Sequence, residues 1–95
     1  MGRKIVKCTE QYNLIVDDYE NLPITFRVWK DRPVIEVKIN NNFAKANGYK
    51  SVTSMFSEAE GGKEIVAQLG RVPEWLRVTE DGEFYLEKLL YKDMN

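Results

Sequence analysis

The side chains between residues 41 and 57 are of the types that bond to nucleic acid. Lysine, serine, threonine and asparagine side chains can contact phosphate oxygens or base edges, aided by the free N–H groups at a helix N-terminus. The sequence NNFAKANGYKSVTSMF places Gly48 between two short segments that contain apolar residues. A glycine suits the turn between two helices because it adopts positive φ without strain. The candidate DNA-binding side chains are Lys45, Asn47, Tyr49, Lys50, Ser51, Thr53 and Ser54.

Two short helices are predicted on either side of that glycine. Asparagines 40–42 offer N-caps for the first helix, and Gly48 can end it in the left-handed conformation. Ser51 can cap the second helix, and Ala44 is the small residue that a helix-turn-helix needs four positions before its turn glycine. The apolar stripe of the second helix is Val52, Met55, Phe56 and Ala59. The alternative is two helices that pack under a sheet, with solvated polar side chains.

Alternating residues before this segment predict a β-hairpin. ITFRVWK places Ile24, Phe26 and Val28 on one face, and VIEVKI alternates in the same way after the turn DRP. Residues 3–16 hold two more short apolar segments, interpreted either as two strands or as a flexible arm over residues 1–10 followed by a strand. Residues 17–23, which are acidic and contain a proline, predict a loop.

The remaining chain predicts further helices. Gly61 and Gly62 are expected to break the second helix, and a third runs from about Lys63 to a stop at Gly70. Residues 75–86 fit either a hairpin with an Asp-Gly turn or a strand that leads into a final helix from about Glu83. The expected structure is a single α+β domain over residues 1–95. It has an N-terminal antiparallel hairpin or meander, then three to four short helices with a helix-turn-helix-like pair.

The absence of several residue types argues against catalysis and against metal or cofactor binding. The chain has no histidine and one cysteine, Cys8, which is too few for a zinc site or a thiol–imidazole pair. It contains neither of the common glycine-rich phosphate-binding motifs. We therefore expect a non-catalytic protein. No apolar run exceeds three residues, which predicts no membrane span, and the lone cysteine favours the cytoplasm.

Charge is distributed unevenly along the chain. Residues 1–50 carry nine basic and six acidic side chains, whereas residues 51–95 carry five basic and nine acidic ones. Because the total is only −1, any affinity for DNA must come from a local basic patch. The acidic half offers an alternative function, in which the chain binds a basic host protein and inhibits it. The plain interpretation of those charges is solubility.

A second candidate surface surrounds Trp29. Arg27 and Trp29 share the outer face of the first hairpin strand, and Arg32 lies in the turn. An exposed tryptophan between arginines could stack on a base, form the centre of a protein interface or mediate a homodimer. Alternatively, a helix or the N-terminal segment covers this tryptophan. Trp75, which follows a proline and precedes a leucine, is expected in the core.

Two segments carry a resemblance to a known family. VIEVKINNNFAKANGYKSVTSMF resembles the start of the Bro-N type of phage antirepressor domain and, more loosely, KilA-N domains, in which a strand pair leads into a helix of the form DVAKALGY, then KN or KS and another helix. VTEDGEFYLEKLL is similar to the segment ITESGLYELI of the same family. The matching residues are Phe43, Ala44, Lys45, Ala46, Gly48, Tyr49, Lys50, Thr79, Glu80, Gly82 and Tyr85.

The resemblance consists of scattered short matches over about residues 24–91. It departs from the family where PWFVAKDV is replaced by PVIEVKINNNF, which lacks the aromatic residue and the acidic start of the helix. The resemblance implies a small regulatory domain of phage or mobile-element type. Such a domain would bind double-stranded DNA or a host or phage regulatory protein.

Overall fold

The computed structural model describes residues 2–78 and 86–90. Five antiparallel strands form one sheet in chain order, β1-β2-β3-β4-β5. The strands are β1 (Arg3–Cys8), β2 (Tyr12–Tyr19), β3 (Leu22–Trp29), β4 (Ile35–Lys38) and β5 (Trp75–Arg77), and the helices are α1 (Asn41–Ala46), α2 (Val52–Glu58), α3 (Glu60–Leu69) and α4 (Leu86–Leu90). The predicted α+β class, with N-terminal strands followed by helices, is confirmed. The late strand β5 returns to the sheet beside β4.

The hairpin predicted over residues 24–39 is present, with Phe26 opposite Val37. The loop predicted over residues 17–23 is wrong. A tight turn at Glu20 and Asn21, with φ of 48° and 70°, joins β2 directly to β3. The strand continues through acidic residues because the end of this hairpin is exposed to solvent, so no apolar alternation marks it in the sequence.

Among the described strands, β1 forms one edge of the sheet and pairs with β2. All six of its residues are exposed. The register shifts between Ile5 and Lys7, so Val6 forms a bulge. Of the two interpretations of residues 3–16, the structure has two strands, and β1 lies outside the buried core.

The helix caps follow the predicted residues. Asn40 Oδ1 accepts a hydrogen bond from the Phe43 backbone N at 2.9 Å, and Gly48 has φ of 87°. The predicted break at the glycine pair is wrong, because Gly61 and Gly62 lie buried in the first turn of α3. The chain instead breaks at Ala59, whose extended backbone (ψ 128°) separates α2 from α3.

The core lies between the helices and one face of the sheet. Ile24, Val37 and Leu76 contribute from the sheet, and Phe43, Ala44, Met55, Phe56, Ile65 and Leu89 contribute from the helices. The expectation that Trp75 lies in the core is wrong, because its neighbour Leu76 is buried and alternation in β5 turns Trp75 to the opposite face. None of the described helices is long and apolar enough to cross a membrane.

Candidate functional site

The α1–α2 segment presents the polar side chains predicted to bind DNA. Four of the seven are exposed around the turn: Lys45 in α1, Asn47 and Lys50 in the turn, and Thr53 in α2. Tyr49 is half-buried and packs against the core, which anchors the turn to the domain. Two lysine ammonium groups and a threonine hydroxyl are therefore available to an anionic partner on this side of the molecule.

Three of the seven predicted side chains, Ser51, Ser54 and Asn47, have roles in the fold. Ser51 is the N-cap of α2, and its Oγ accepts from the Ser54 backbone N at 3.2 Å. Its hydroxyl also bonds to Ser54 Oγ at 3.3 Å. Asn47 Nδ2 donates to the Phe43 carbonyl at 2.8 Å and so closes the last turn of α1. These three side chains shape the turn through contacts within it.

A hydrogen bond between the two helices also fixes the start of α2. Asn41 Oδ1, in the first turn of α1, accepts from the Val52 backbone N at 3.0 Å. With Ser54 N bonded to Ser51, two of the first three N–H groups of α2 are already satisfied. The free N–H groups at the start of α2 can therefore contribute less to DNA binding than expected. Binding would depend on the side chains of Lys45, Lys50 and Thr53. Nothing in the sequence signals this bond between residues 11 positions apart.

The opposite face of the sheet carries a cluster of aromatic and charged side chains. The Arg27 guanidinium carbon lies 5.3 Å from the ring centroid of Tyr12, 5.0 Å from that of Trp29 and 4.2 Å from that of Trp75. The strand register produces this arrangement, since Tyr12 pairs with Trp29 across β2 and β3, and Arg27 pairs with Glu36 across β3 and β4. Tyr12 and Trp29 meet edge-on, with ring centroids 5.1 Å apart.

Glu36 holds the centre of this cluster. Its Oε1 accepts hydrogen bonds from Arg27 Nε at 2.8 Å and from Trp29 Nε1 at 2.6 Å, and it lies 2.7 Å from Arg27 Nη2 in an ion pair. The side chains of Arg27 and Glu36 are only 20% and 17% exposed, which makes their ion pair stronger than one in open solvent. The carboxylate therefore fixes both the guanidinium plane and the indole ring.

Arg32 extends the cluster from the β3–β4 turn. Its guanidinium carbon lies 4.9 Å from the Trp29 ring centroid, and its Nε pairs with Asp31 Oδ1 at 3.0 Å. The hydrogen bond from Arg32 lowers the pKa of the Asp31 carboxyl, and the same bond raises the pKa of Arg32. The structure thus brings the predicted residues Arg27, Trp29 and Arg32 together. We call the set Tyr12, Arg27, Trp29, Arg32, Glu36 and Trp75 the open-face patch.

Tyr12, Glu36 and Trp75 were not identified as site residues from the sequence, because they come from three other strands. The hairpin alternation alone could have placed Glu36 beside Arg27, but β5 gave no signal strong enough to add Trp75. The alternative that a helix covers Trp29 does not hold for the described residues, since the described helices contribute to a core on the other face. Trp29 is half-buried among its neighbours in the sheet.

Acidic side chains gather on the helical side. Glu58, Glu60 and Glu64 are exposed near the α2–α3 junction, where Glu60 pairs with Lys63 at 3.4 Å. Glu80, Asp81 and Glu83, which were part of the same expectation, lie outside the described residues. Within residues 2–78 and 86–90, no group of three or more histidine, cysteine or carboxylate side chains could hold a metal ion.

Comparison with known proteins identifies no relative. No family model matches the chain, and neither a curated protein nor a solved structure shows significant similarity to it. The Bro-N resemblance therefore stays a prediction.

Proposed function

We propose that this chain is a non-catalytic regulatory module that binds double-stranded DNA through residues 41–57. The observation that carries the proposal is the exposure of Lys45, Lys50 and Thr53 around one turn, beside the capped start of α2. Lysine and threonine side chains contact phosphates, and residues at the start of a second helix are the ones that reach base edges in helix-turn-helix proteins. The Bro-N resemblance supports the same role in a phage or mobile element.

The absence of histidine from the sequence supports a binding role without catalysis. The fold also provides a rigid support for the turn. Asn41 ties α2 to α1 through the Val52 N–H, and Phe43 and Met55 anchor the two helices in the core. A pre-formed turn reduces the ordering cost when a ligand binds.

The test is fluorescence anisotropy of labelled mixed-sequence duplex DNA between about 50 and 200 mM salt, where phosphate-driven affinity falls steeply. We expect wild-type protein to bind in a salt-dependent way and Lys50→Glu to lose most of that binding. Lys30→Glu is the matched control, because Lys30 is an exposed lysine after β3 whose Nζ contacts Cys8 of the edge strand, outside residues 41–57. Equal affinities for wild type and Lys50→Glu would refute this placement of the site.

The competing proposal is an inhibitor that binds a basic host protein through its acidic half. The exposed group Glu58, Glu60 and Glu64 favours it. In that case wild-type protein ignores duplex DNA at moderate salt, and the double substitution Glu58→Gln/Glu64→Gln weakens its binding to a basic nucleic-acid-binding domain. Under the DNA-binding proposal, the same double substitution leaves the duplex affinity unchanged or raises it.

A further inference from the structure

We propose that the open face of the sheet is a platform for a single strand of nucleic acid. This goes beyond the duplex site of α1 and α2 and does not depend on it, because those helices pack on the other face. The platform consists of the open-face patch and the lysines that flank it in β1 and β4. Its ligand is a flexible phosphodiester chain with unpaired bases.

The open-face patch gathers aromatic rings and a guanidinium group on one face of the sheet. Tyr12, Trp29 and Trp75 come from three different strands, and their rings surround the guanidinium of Arg27. Unpaired bases stack on aromatic rings and on guanidinium planes. Strands lie about 4.8 Å apart, so a patch from β2 to β5 is wide enough for about two or three bases.

The open face of the sheet also carries an excess of positive charge. Antiparallel register assigns to this face the alternating positions Lys4, Lys7, Arg27, Lys38 and Arg77, against the carboxylates Asp18 and Glu36. Glu74 also pairs with Lys38 at 3.8 Å, so five cations face three carboxylates, and this face is basic in a chain whose net charge is −1. The excess is complementary to a phosphate backbone, which supplies most of the affinity of such complexes.

The open-face patch is held in place before any ligand binds. Glu36 fixes Arg27 and Trp29 through two hydrogen bonds to one oxygen, and the Arg27 pair is also an ion pair. Arg32, in contrast, has a side chain that is 51% exposed and forms an exposed ion pair with Asp31, so moving it from the Trp29 ring costs little. A base can then take its place on the indole. Duplex DNA does not fit this face as well, because its bases are stacked on one another already.

The experiment uses tryptophan fluorescence of the full chain titrated with oligo(dT) and with oligo(U). Trp29 and Trp75 are the two tryptophans of the sequence, and both lie on the open face, so stacking should quench the emission. We expect saturable quenching that weakens steeply with salt. Stronger binding of oligo(U) would assign the face to RNA, stronger binding of oligo(dT) to DNA, and equal binding to either strand.

Charge reversal separates this face from the helical one. Lys38 and Lys63 are both partly exposed lysines with a weak glutamate pair, at 3.8 Å and 3.4 Å. We expect Lys38→Glu to weaken oligonucleotide binding about tenfold, while Lys63→Glu leaves it unchanged. We expect Trp29→Leu, which removes a ring on which bases can stack, to weaken oligonucleotide binding by a similar factor. Trp75 then remains as the fluorescent reporter, and circular dichroism checks that the variant is folded.

Three results would overturn the proposal. The first is unchanged emission with both oligonucleotides at low salt. The second is equal weakening by Lys38→Glu and Lys63→Glu. The third is emission that changes with protein concentration but with neither oligonucleotide, which would assign this face to a homodimer contact instead. Because duplex binding is measured separately with Lys50→Glu, failure of one proposal is distinguishable from failure of the other.

Discussion

Glu36 is the residue on which the geometry of the open face depends. One oxygen of its side chain receives hydrogen bonds from Arg27 and from Trp29, and the Arg27–Glu36 pair is mostly shielded from solvent. Removing a partner from such a pair leaves a guanidinium without its counter-charge, which costs more than the pair itself contributes.

We therefore predict that Glu36→Gln lowers the free energy of unfolding by about 1–3 kcal/mol, measured by urea denaturation. The matched control is Glu74→Gln. Its pair with Lys38 is longer, at 3.8 Å, and its side chain is 69% exposed, so the expected loss is below about 1 kcal/mol. Equal midpoints for Glu36→Gln and wild type would show that Glu36 does not hold the cluster.

At the scale of elements, Gly62 sets the distance between α3 and its neighbours. A Cβ at this position would lie 3.0 Å from Phe56 Cα and 3.1 Å from Leu89 Cδ1. The leucine methyl can move, but the Phe56 backbone belongs to α2, which packs its buried side chains in the same core. The glycine thus permits a close approach between two helices that the chain separates by a single residue.

We predict that Gly62→Ala destabilises the domain by about 1–3 kcal/mol, even though alanine favours helix over glycine by about 1 kcal/mol. Thermal or urea unfolding measures the change. The control is Lys63→Ala at the next, exposed position of α3, where only a solvent-exposed pair with Glu60 at 3.4 Å is lost. Stabilisation by Gly62→Ala would mean that α3 can shift away from α2.

Local signals in the sequence predicted the elements whose ends depend on near neighbours. Asn40, Gly48 and Ser51 each act within three or four residues, and the structure has all three caps as expected. The failures depend on distant residues. Gly62 lies in α3 where Phe56 and Leu89 leave no room for a side chain. Trp75 lies beside Arg27 only because β5 pairs with β4.

The same distinction applies to the candidate sites. Composition and spacing placed Lys45, Lys50 and Thr53 around one turn, and alternation placed Arg27 beside Trp29. Tyr12 and Trp75 were beyond such reasoning, because strand register decides which side chains meet across a sheet.

At the scale of the whole molecule, protection from solvent falls across the sheet from β4 to β1. Val37 in β4 is fully buried, whereas Ile5 and Val6 in β1 are 60% and 52% exposed. Lysines and a bulge on the edge strand discourage pairing with another chain. Little apolar burial therefore holds β1 in place.

We predict that backbone amides of β1 exchange with deuterium much faster than those of β3 under native conditions. Segments with little buried apolar surface open locally without global unfolding, and β1 depends on β2 alone. Hydrogen–deuterium exchange resolved by NMR measures this, with β4 as the internal reference. Protection of β1 equal to that of β3 would show that the sheet opens as one unit.

The return of the chain to β4 has a consequence for how the domain folds. The first four strands are joined by short turns, whereas β5 pairs with β4 only after the chain has passed through α1, α2 and α3. Closing that larger loop costs more conformational entropy, and this entropy is lost before the contacts between β5 and β4 can stabilise the domain. We therefore predict that the meander and the helices form early and that Leu76 takes its place after the transition state. Truncating the buried side chain in Leu76→Ala should then speed unfolding and leave the refolding rate nearly unchanged, as measured by stopped-flow kinetics.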